Sequence, residues 1–213
     1  MRLLSAILTL LLPLPGLVLA QQQWEVGGSA GYGIYRDVNV TGPAASGTAG
    51  FTSGVAFGAV LGNEISHRIA GEIRYTYRAD DLKVSSGSAE AKASAQSHAI
   101  HYDFLIHATS RESVVRPFLA AGAGVKIFRG TGAEPSYQPL SNLLVLTHTT
   151  QPEPLISAGG GVKVSVSRHA LVRFEFRDYA TPLPDKLLAA PPGAKIRGWM
   201  HDFVFLAGVS TVF

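Results

Sequence analysis

The sequence predicts an all-β fold: one eight-stranded antiparallel up-and-down transmembrane β-barrel. Three observations predict it. Eight segments alternate apolar with polar or small residues at the period of two that a strand imposes on its side chains. These segments run about 11 to 16 residues, beyond the five or six usual in soluble strands and enough for the roughly 9 to 11 tilted residues that cross a bilayer. Long polar links alternate with tight ones, the arrangement of transmembrane barrels.

An export signal precedes the barrel. Met1 and Arg2 give a positive start, residues 3–19 form an apolar run, and Val18-Leu19-Ala20 offers small residues for a signal peptidase. Cleavage after Ala20 leaves Gln21 first and one domain over residues 21–213. Pro13, Pro15, Gly16 and the absence of a charged stop-transfer flank argue against reading the run as a membrane helix. The chain has no cysteine, which excludes a lipoprotein anchor, a disulfide, a thiolate metal site and a cysteine nucleophile. Its 23 glycines and few charges argue against disorder and coiled coil. The formal charge of +3 becomes +2 once Arg2 is removed, and the basic residues are scattered, so no nucleic-acid partner is expected.

The segments follow in order. In the first, Trp24, Val26, Ala30, Tyr32 and Ile34 share one face and Glu25, Ser29, Gly31 and Gly33 the other. The second sets Phe51, Val55, Phe57, Ala59 and Leu61 against Thr52, Gly54, Ala56, Gly58 and Gly62. The third alternates Ile69, Ile73, Tyr75 and Tyr77 with Arg68, Glu72, Arg74, Thr76 and Arg78. The fourth opposes Ile100, Tyr102, Phe104, Ile106 and Ala108 to Ser97, His101, Asp103 and His107. The fifth opposes Leu119, Ala121, Ala123, Val125 and Ile127 to Gly122, Gly124 and Lys126. The sixth places Ile156, Ala158, Val162, Val164 and Val166 against Ser157, Gly159, Gly161, Lys163 and Ser165. The seventh sets Val172, Phe174 and Phe176 against Arg173, Glu175 and Arg177. In the eighth, His201, Phe203, Phe205, Ala207, Val209 and Phe213 oppose Asp202, Gly208 and Ser210.

Links over residues 37–50, 79–95, 130–153 and 181–197 read as long, and those near 63–67, 110–113 and 167–169 as tight. Four long and three tight connections give an even strand number and leave both termini on the periplasmic side. A Lys or Arg at the lipid midplane costs about 2–4 kcal/mol, so the nearly charge-free faces point to lipid. Their exceptions, Arg36, His98, Arg129, Asp178 and His201, sit at the outer strand ends. Glu72, Arg74, Asp103, Lys126, Lys163, Arg173, Glu175, Arg177 and Asp202 are expected to fill the lumen as an ion-pair network, with glycines making room for them.

The chain thereby resembles the bacterial outer-membrane β-barrel (porin-like) family, in particular its small OmpA/OmpX-like members, over residues 21–213. The final strand carries the most specific part: Phe205, Ala207, Val209 and the terminal Phe213 match the signal that the barrel-assembly machinery reads, with Thr211 a departure. The stretch Gly159-Gly160-Gly161-Val162-Lys163 leading to Arg173-Phe174-Glu175-Phe176-Arg177-Asp178-Tyr179 resembles a hairpin of that family. The resemblance implies the outer membrane as location, with lipid and lipopolysaccharide as surroundings, and no activity. The lipid faces show no polar seam, so a monomer is expected.

A soluble lipocalin-like barrel would share the alternation with its apolar residues turned inward, but it leaves Phe213 without a role and its strands too long. No cofactor, metal or catalytic site is expected. Ser97 and His98 are adjacent in a strand and point to opposite faces, so they cannot work as nucleophile and base. His101 and Asp103 share a face, yet a metal needs three or four converging groups, and Arg74 is a competing partner for Asp103. Gly122-Ala123-Gly124 and Gly159-Gly160-Gly161 lie within strands with no helix after them, so neither cradles phosphate. Two functions remain: a scaffold displaying its loops around a side-chain-filled lumen, and a narrow channel for ions or small solutes. In the scaffold reading, residues 130–153 offer Tyr137 and Leu143, Leu144, Val145 and Leu146 either as a partner site or as a cap on the barrel mouth.

Overall fold

The computed structural model describes residues 23–43, 45–132, 137–196 and 198–213. The expected signal peptide over residues 1–20 lies outside the described residues. The strands in chain order are β1 (Trp24–Arg36), β2 (Val38–Thr41), β3 (Ser46–Phe51), β4 (Gly54–Glu64), β5 (Ile69–Ser86), β6 (Ala89–His107) and β7 (Val115–Gly130). They continue as β8 (Val145–Leu146), β9 (Thr150–Ser165), β10 (Ala170–Pro182), β11 (Leu188–Ala189), β12 (Lys195–Ile196) and β13 (Trp199–Val212).

Eight of these close a ring in the order β1, β4, β5, β6, β7, β9, β10, β13 and back to β1, every pair antiparallel. The first and last ring strands meet directly. The Trp24 amide donates to the Phe213 carbonyl at 2.9 Å and the Phe213 amide to Trp24 at 3.0 Å, which removes the open edges a flat sheet would carry. Three short turns, over residues 65–68, 108–114 and 166–169, lie at the same end as this closure, and the four connections read from the sequence as long lie at the other. The up-and-down, eight-stranded barrel expected from the sequence is therefore the observed fold.

The pleat sorts side chains as the alternation requires. Ile73, Phe104, Leu119, Phe174, Phe205 and Val209 point outward and are exposed, whereas Glu72, Asp103, Arg173 and Glu175 point inward and are buried. Exposed Phe, Leu and Ile covering a ring whose interior holds charge is the inverse of a soluble barrel. Such a belt is stable only in contact with hydrocarbon.

The belt ends at a definite level, and there the two faces exchange polarity. Along β5 the outward series passes from Ile73, Tyr75 and Tyr77 to Asp81, Lys83 and Ser85, while the inward series passes from Glu72, Arg74, Arg78 and Asp80 to Leu82 and Val84. β6 changes at the paired level: its outward residues run Phe104, Tyr102, Ile100, then Gln96, Ser94, Lys92 and Glu90, and its inward ones end in Ala95, Ala93 and Ala91. Beyond that level the outside meets water, so the inside is apolar.

This inversion corrects the sequence reading of two links. Residues 79–95 are not a loop but the continuation of β5 and β6, which reach 18 and 19 residues and turn only at Gly87, whose φ of +58° is readily open to glycine. Residues 37–50 likewise form β2 and β3, which join β5 and extend the sheet past the belt. Arg68, expected on the inward face, lies in the exposed first turn ahead of β5.

A separate apolar core fills the long-loop end. Leu140, Leu143, Leu144, Leu146, Leu187 and Leu188 descend from the third and fourth long connections onto Tyr35, Phe51, Leu82 and Phe128. The two connections are tied together by β8 and β11, which pair Leu146 with Leu188. Gln151 holds them from below, donating to Asp185 at 2.8 Å and accepting the Lys186 amide at 2.8 Å.

Candidate functional site

The interior is built from three stacked layers. The lowest, nearest the short turns, gathers Glu25 from β1, Glu72 and Arg74 from β5, Asp103 from β6, Lys163 from β9, and Arg173, Glu175 and Arg177 from β10. Four carboxylates meet four cations. Arg173 is the hub: it donates to Glu25 at 2.5 Å, to Glu72 at 2.9 and 3.0 Å, and to Glu175 at 2.7 Å. Lys163 bridges Glu25 at 2.6 Å and Glu72 at 2.8 Å. Arg74 bridges Glu72 at 2.8 Å and Glu175 at 3.0 Å. Arg177 bridges Glu175 at 2.9 Å and Asp103 at 2.7 Å, and His101 lies 2.9 Å from Asp103.

A second layer lies higher. Asp202 takes Lys126 at 2.6 Å and a close contact from Arg78, and Arg78 also donates to Asp80 at 2.6 Å. Two carboxylates again meet two cations. Tyr35 roofs this layer, its ring 4.5 Å from the Arg78 guanidinium and 4.7 Å from the Lys126 ammonium. Tyr35, Phe51 and Phe128 then stack at centroid distances of 5.0 and 5.2 Å into the third layer, the leucine cap. Between the two ionic layers Tyr179 hydrogen-bonds Thr76 at 3.2 Å and packs edge-on against His101 at 5.1 Å.

The inward glycines are the space these side chains use. A Cβ on Gly33 would fall 1.6 Å from the Arg78 guanidinium, and one on Gly122 would fall 2.2 Å from the Asp103 carboxylate. Balanced charge, ion pairing and close packing fill this part of the interior with side chains. Each ion is desolvated, at a cost that only several partners per group can offset, and the partners are present.

The structure brings together seven of the nine residues named from the sequence, Glu72, Arg74, Asp103, Lys163, Arg173, Glu175 and Arg177, and sets Lys126 and Asp202 apart in the upper layer. Asp103 pairs with Arg177, not with Arg74. Glu25, Arg78 and Asp80 belong to the network and were not named with it. Glu25 and Arg78 already stood on the inward faces, and Asp80 stood one period further along β5. A further pair, Arg116 with Glu64 at 2.7 and 3.2 Å, lies at the short-turn mouth.

Other expectations resolve locally. Ser97 points inward to Tyr35 at 3.3 Å, whereas His98 points outward to Tyr75 at 2.8 Å, so the two stand on opposite faces. Asp178 is an outward strand residue paired with His201 at 2.8 Å at the upper edge of the belt, which explains a carboxylate on that face. Leu143, Leu144 and Leu146 are at most 1% exposed and pack into the cap, while Tyr137 remains exposed. Phe205, Val209 and Phe213 face outward, as does Ala207.

No protein-family model and no curated protein matches the chain in sequence. Solved structures match it in shape. Neisserial surface protein A aligns with a TM-score of 0.55 at 12% identity, covering 88% of this chain and 96% of that one. The attachment invasion locus protein Ail of Yersinia pestis, solved with the heparin analogue sucrose octasulfate, aligns at 0.46 with 9% identity over 89% of this chain and 99% of that one. The N-terminal β-barrel domain of Pseudomonas aeruginosa OprF aligns at 0.42 with 14% identity over 91% of this chain and all of that one. At such identities the first of these likenesses speaks for the fold alone.

Proposed function

We propose that the chain is an integral outer-membrane protein that acts as a structural scaffold for its long-loop surface, with a closed lumen and no catalytic role. Export is assigned to residues 1–20, insertion to recognition of the final strand and Phe213 by the barrel-assembly machinery, and the short-turn end with both termini to the periplasm. Outer-membrane lipid and lipopolysaccharide surround the belt, and one copy suffices to close it.

One observation carries the reading: two charge-balanced ionic layers and a leucine cap occupy the interior in series, so a solute would have to break buried ion pairs and then displace an apolar core. The inward glycines, which alone favoured a channel, are filled by Arg78, Asp103 and Arg177. Planar-bilayer conductance of the purified, detergent-folded protein tests this directly. The scaffold reading expects current at the lipid baseline. Reproducible ohmic steps that scale with protein would establish the channel instead.

A further inference from the structure

Just above the apolar belt, on the outer wall, the sheet has a gap. β3 and β4 pair with β5 in turn, but the ladder lapses between Phe51, opposite Leu82, and Ala56, opposite Arg78. Thr52 and Ser53 cross the gap, held by the Thr52 amide donating to the Asp81 carbonyl at 2.8 Å and the Asp81 amide donating to Thr52 Oγ1 at 2.9 Å. Beside them the outward residue of β5 is the small Ala79, opposite Gln96 of β6. The result is an open depression of about 440 Å³, within the range of about 300–1,000 Å³ of small-molecule sites. Tyr77, Ser53, Asp81, Ser94 and Gln96 line it, and each is at least partly exposed, so a ligand reaches them. Tyr77 donates to Gln96 Oε1 at 3.4 Å, which leaves the two side-chain N–H groups of Gln96 free to donate. The hydroxyls of Ser53 and Ser94 and the Asp81 carboxylate make no hydrogen bond or ion pair among the described residues.

We propose that this depression is a binding site for a neutral pyranose sugar. Sugar hydroxyls both donate and accept. Here they meet a carboxylate that accepts, an amide and two hydroxyls that donate, and an aromatic ring against which the apolar C–H face of a pyranose packs. Other ligands fit the lining less well. An anion would meet the Asp81 carboxylate and, among the described lining residues, no cation. Lys83 and Lys92, further along the same strands, are held by Asp37 at 2.9 Å and Glu90 at 2.6 Å. A calcium ion takes about six to eight oxygen ligands, and Asp80 is turned inward to Arg78, which leaves one carboxylate to offer it. The depression lies where the outer wall passes from lipid to water, the level at which a membrane-anchored sugar sits. The site goes beyond the scaffold reading and stands independently of whether the lumen conducts.

The test is solution NMR of the full barrel in phosphocholine micelles, following the Gln96 side-chain amide and Tyr77 ring signals during titration. Methyl glycosides of glucose, galactose and mannose present a free sugar, and the matching octyl glycosides present it from the micelle surface. Octyl pentaethylene glycol ether and glycerol serve as controls. A saturable shift of both signals with at least one sugar, weakened about fivefold in Gln96→Ala and about threefold in Asp81→Asn, is expected. A response to the octyl glycosides alone assigns the site to a lipid-linked sugar, and a response to the methyl glycosides assigns it to a free one; either supports the proposal. Heat-dependent electrophoretic mobility reports that each variant is folded. Asp81→Asn keeps the shape of its side chain, so it tests the site even where Gln96→Ala fails to fold. The proposal is overturned by the absence of a saturable shift with any of the glycosides, by an equal response to the ether or glycerol, or by unchanged affinity in either folded variant.

Discussion

Replacing Arg173 with methionine should cost more stability than any other single change in the lower ionic layer. The substitution removes four hydrogen bonds to three carboxylates and leaves four buried carboxylates facing three cations. Breaking a buried pair by deleting one partner costs about 3–5 kcal/mol, because the stranded charge keeps its desolvation penalty. Lys163, Arg74 and Arg177 still serve Glu25, Glu72 and Glu175, so the loss belongs at the low end, about 3 kcal/mol. Adding Glu72→Gln returns the layer to three carboxylates and three cations, and the double variant should recover at least about 1 kcal/mol of that loss. Equilibrium urea unfolding of the micelle-folded barrel, read from the fluorescence of Trp24 and Trp199, measures both. A single variant within about 1 kcal/mol of the parent, or a double variant no better than the single, would refute the claim that the layer is stabilised by pairing.

Gly33→Ala should destabilise the barrel by about 2 kcal/mol or more, since its Cβ would overlap Arg78 and drive it from Asp202. Gly28→Ala, whose nearest contact would be 3.8 Å away, should stay within about 0.5 kcal/mol in the same unfolding assay. Leu143→Asp places a charge in the apolar cap and should expose residues 130–153 to limited proteolysis while the ring keeps its heat-dependent mobility; unchanged protection would contradict the cap. Glu90→Gln removes an exposed pair with Lys92 at 2.6 Å and should leave the unfolding midpoint where it is.

The inward and outward faces of the belt were legible because one simple rule, charge away from hydrocarbon, governs it; Phe51, read with Val55 and Phe57 as outward, instead ends β3 and is buried in the cap. Phe174 and Arg173 need no structure to be assigned to opposite faces. The rule fails past the belt, where water replaces lipid and the faces exchange roles. Leu82, Val84, Ala91 and Ala93 kept the period of two, but beside Asp81, Lys83 and Lys92 they read as polar linker. Network membership was partly legible for a related reason. Glu72 and Arg173 lie mid-segment, whereas Glu25 and Asp80 lie near segment ends, where a lumen residue and a rim residue look alike. Which charges meet depends on register and closure: Glu25 and Arg173 are 148 positions apart and touch only because β1 and β10 flank β13. The cap was the least accessible, since Leu146 and Leu188 are joined by a two-residue pairing between loops.

The chain has no native cysteine, so single cysteines carrying a nitroxide can be placed at outward positions 73, 77, 81 and 83 of β5 in the reconstituted protein. Collision with oxygen, which concentrates in lipid, and with a water-soluble nickel chelate then reports what each position touches. The account predicts oxygen dominance at position 73, chelate dominance at positions 81 and 83, and a crossover between 77 and 81. Free access of the chelate to position 73 would contradict it and turn the apolar belt into a surface that water reaches.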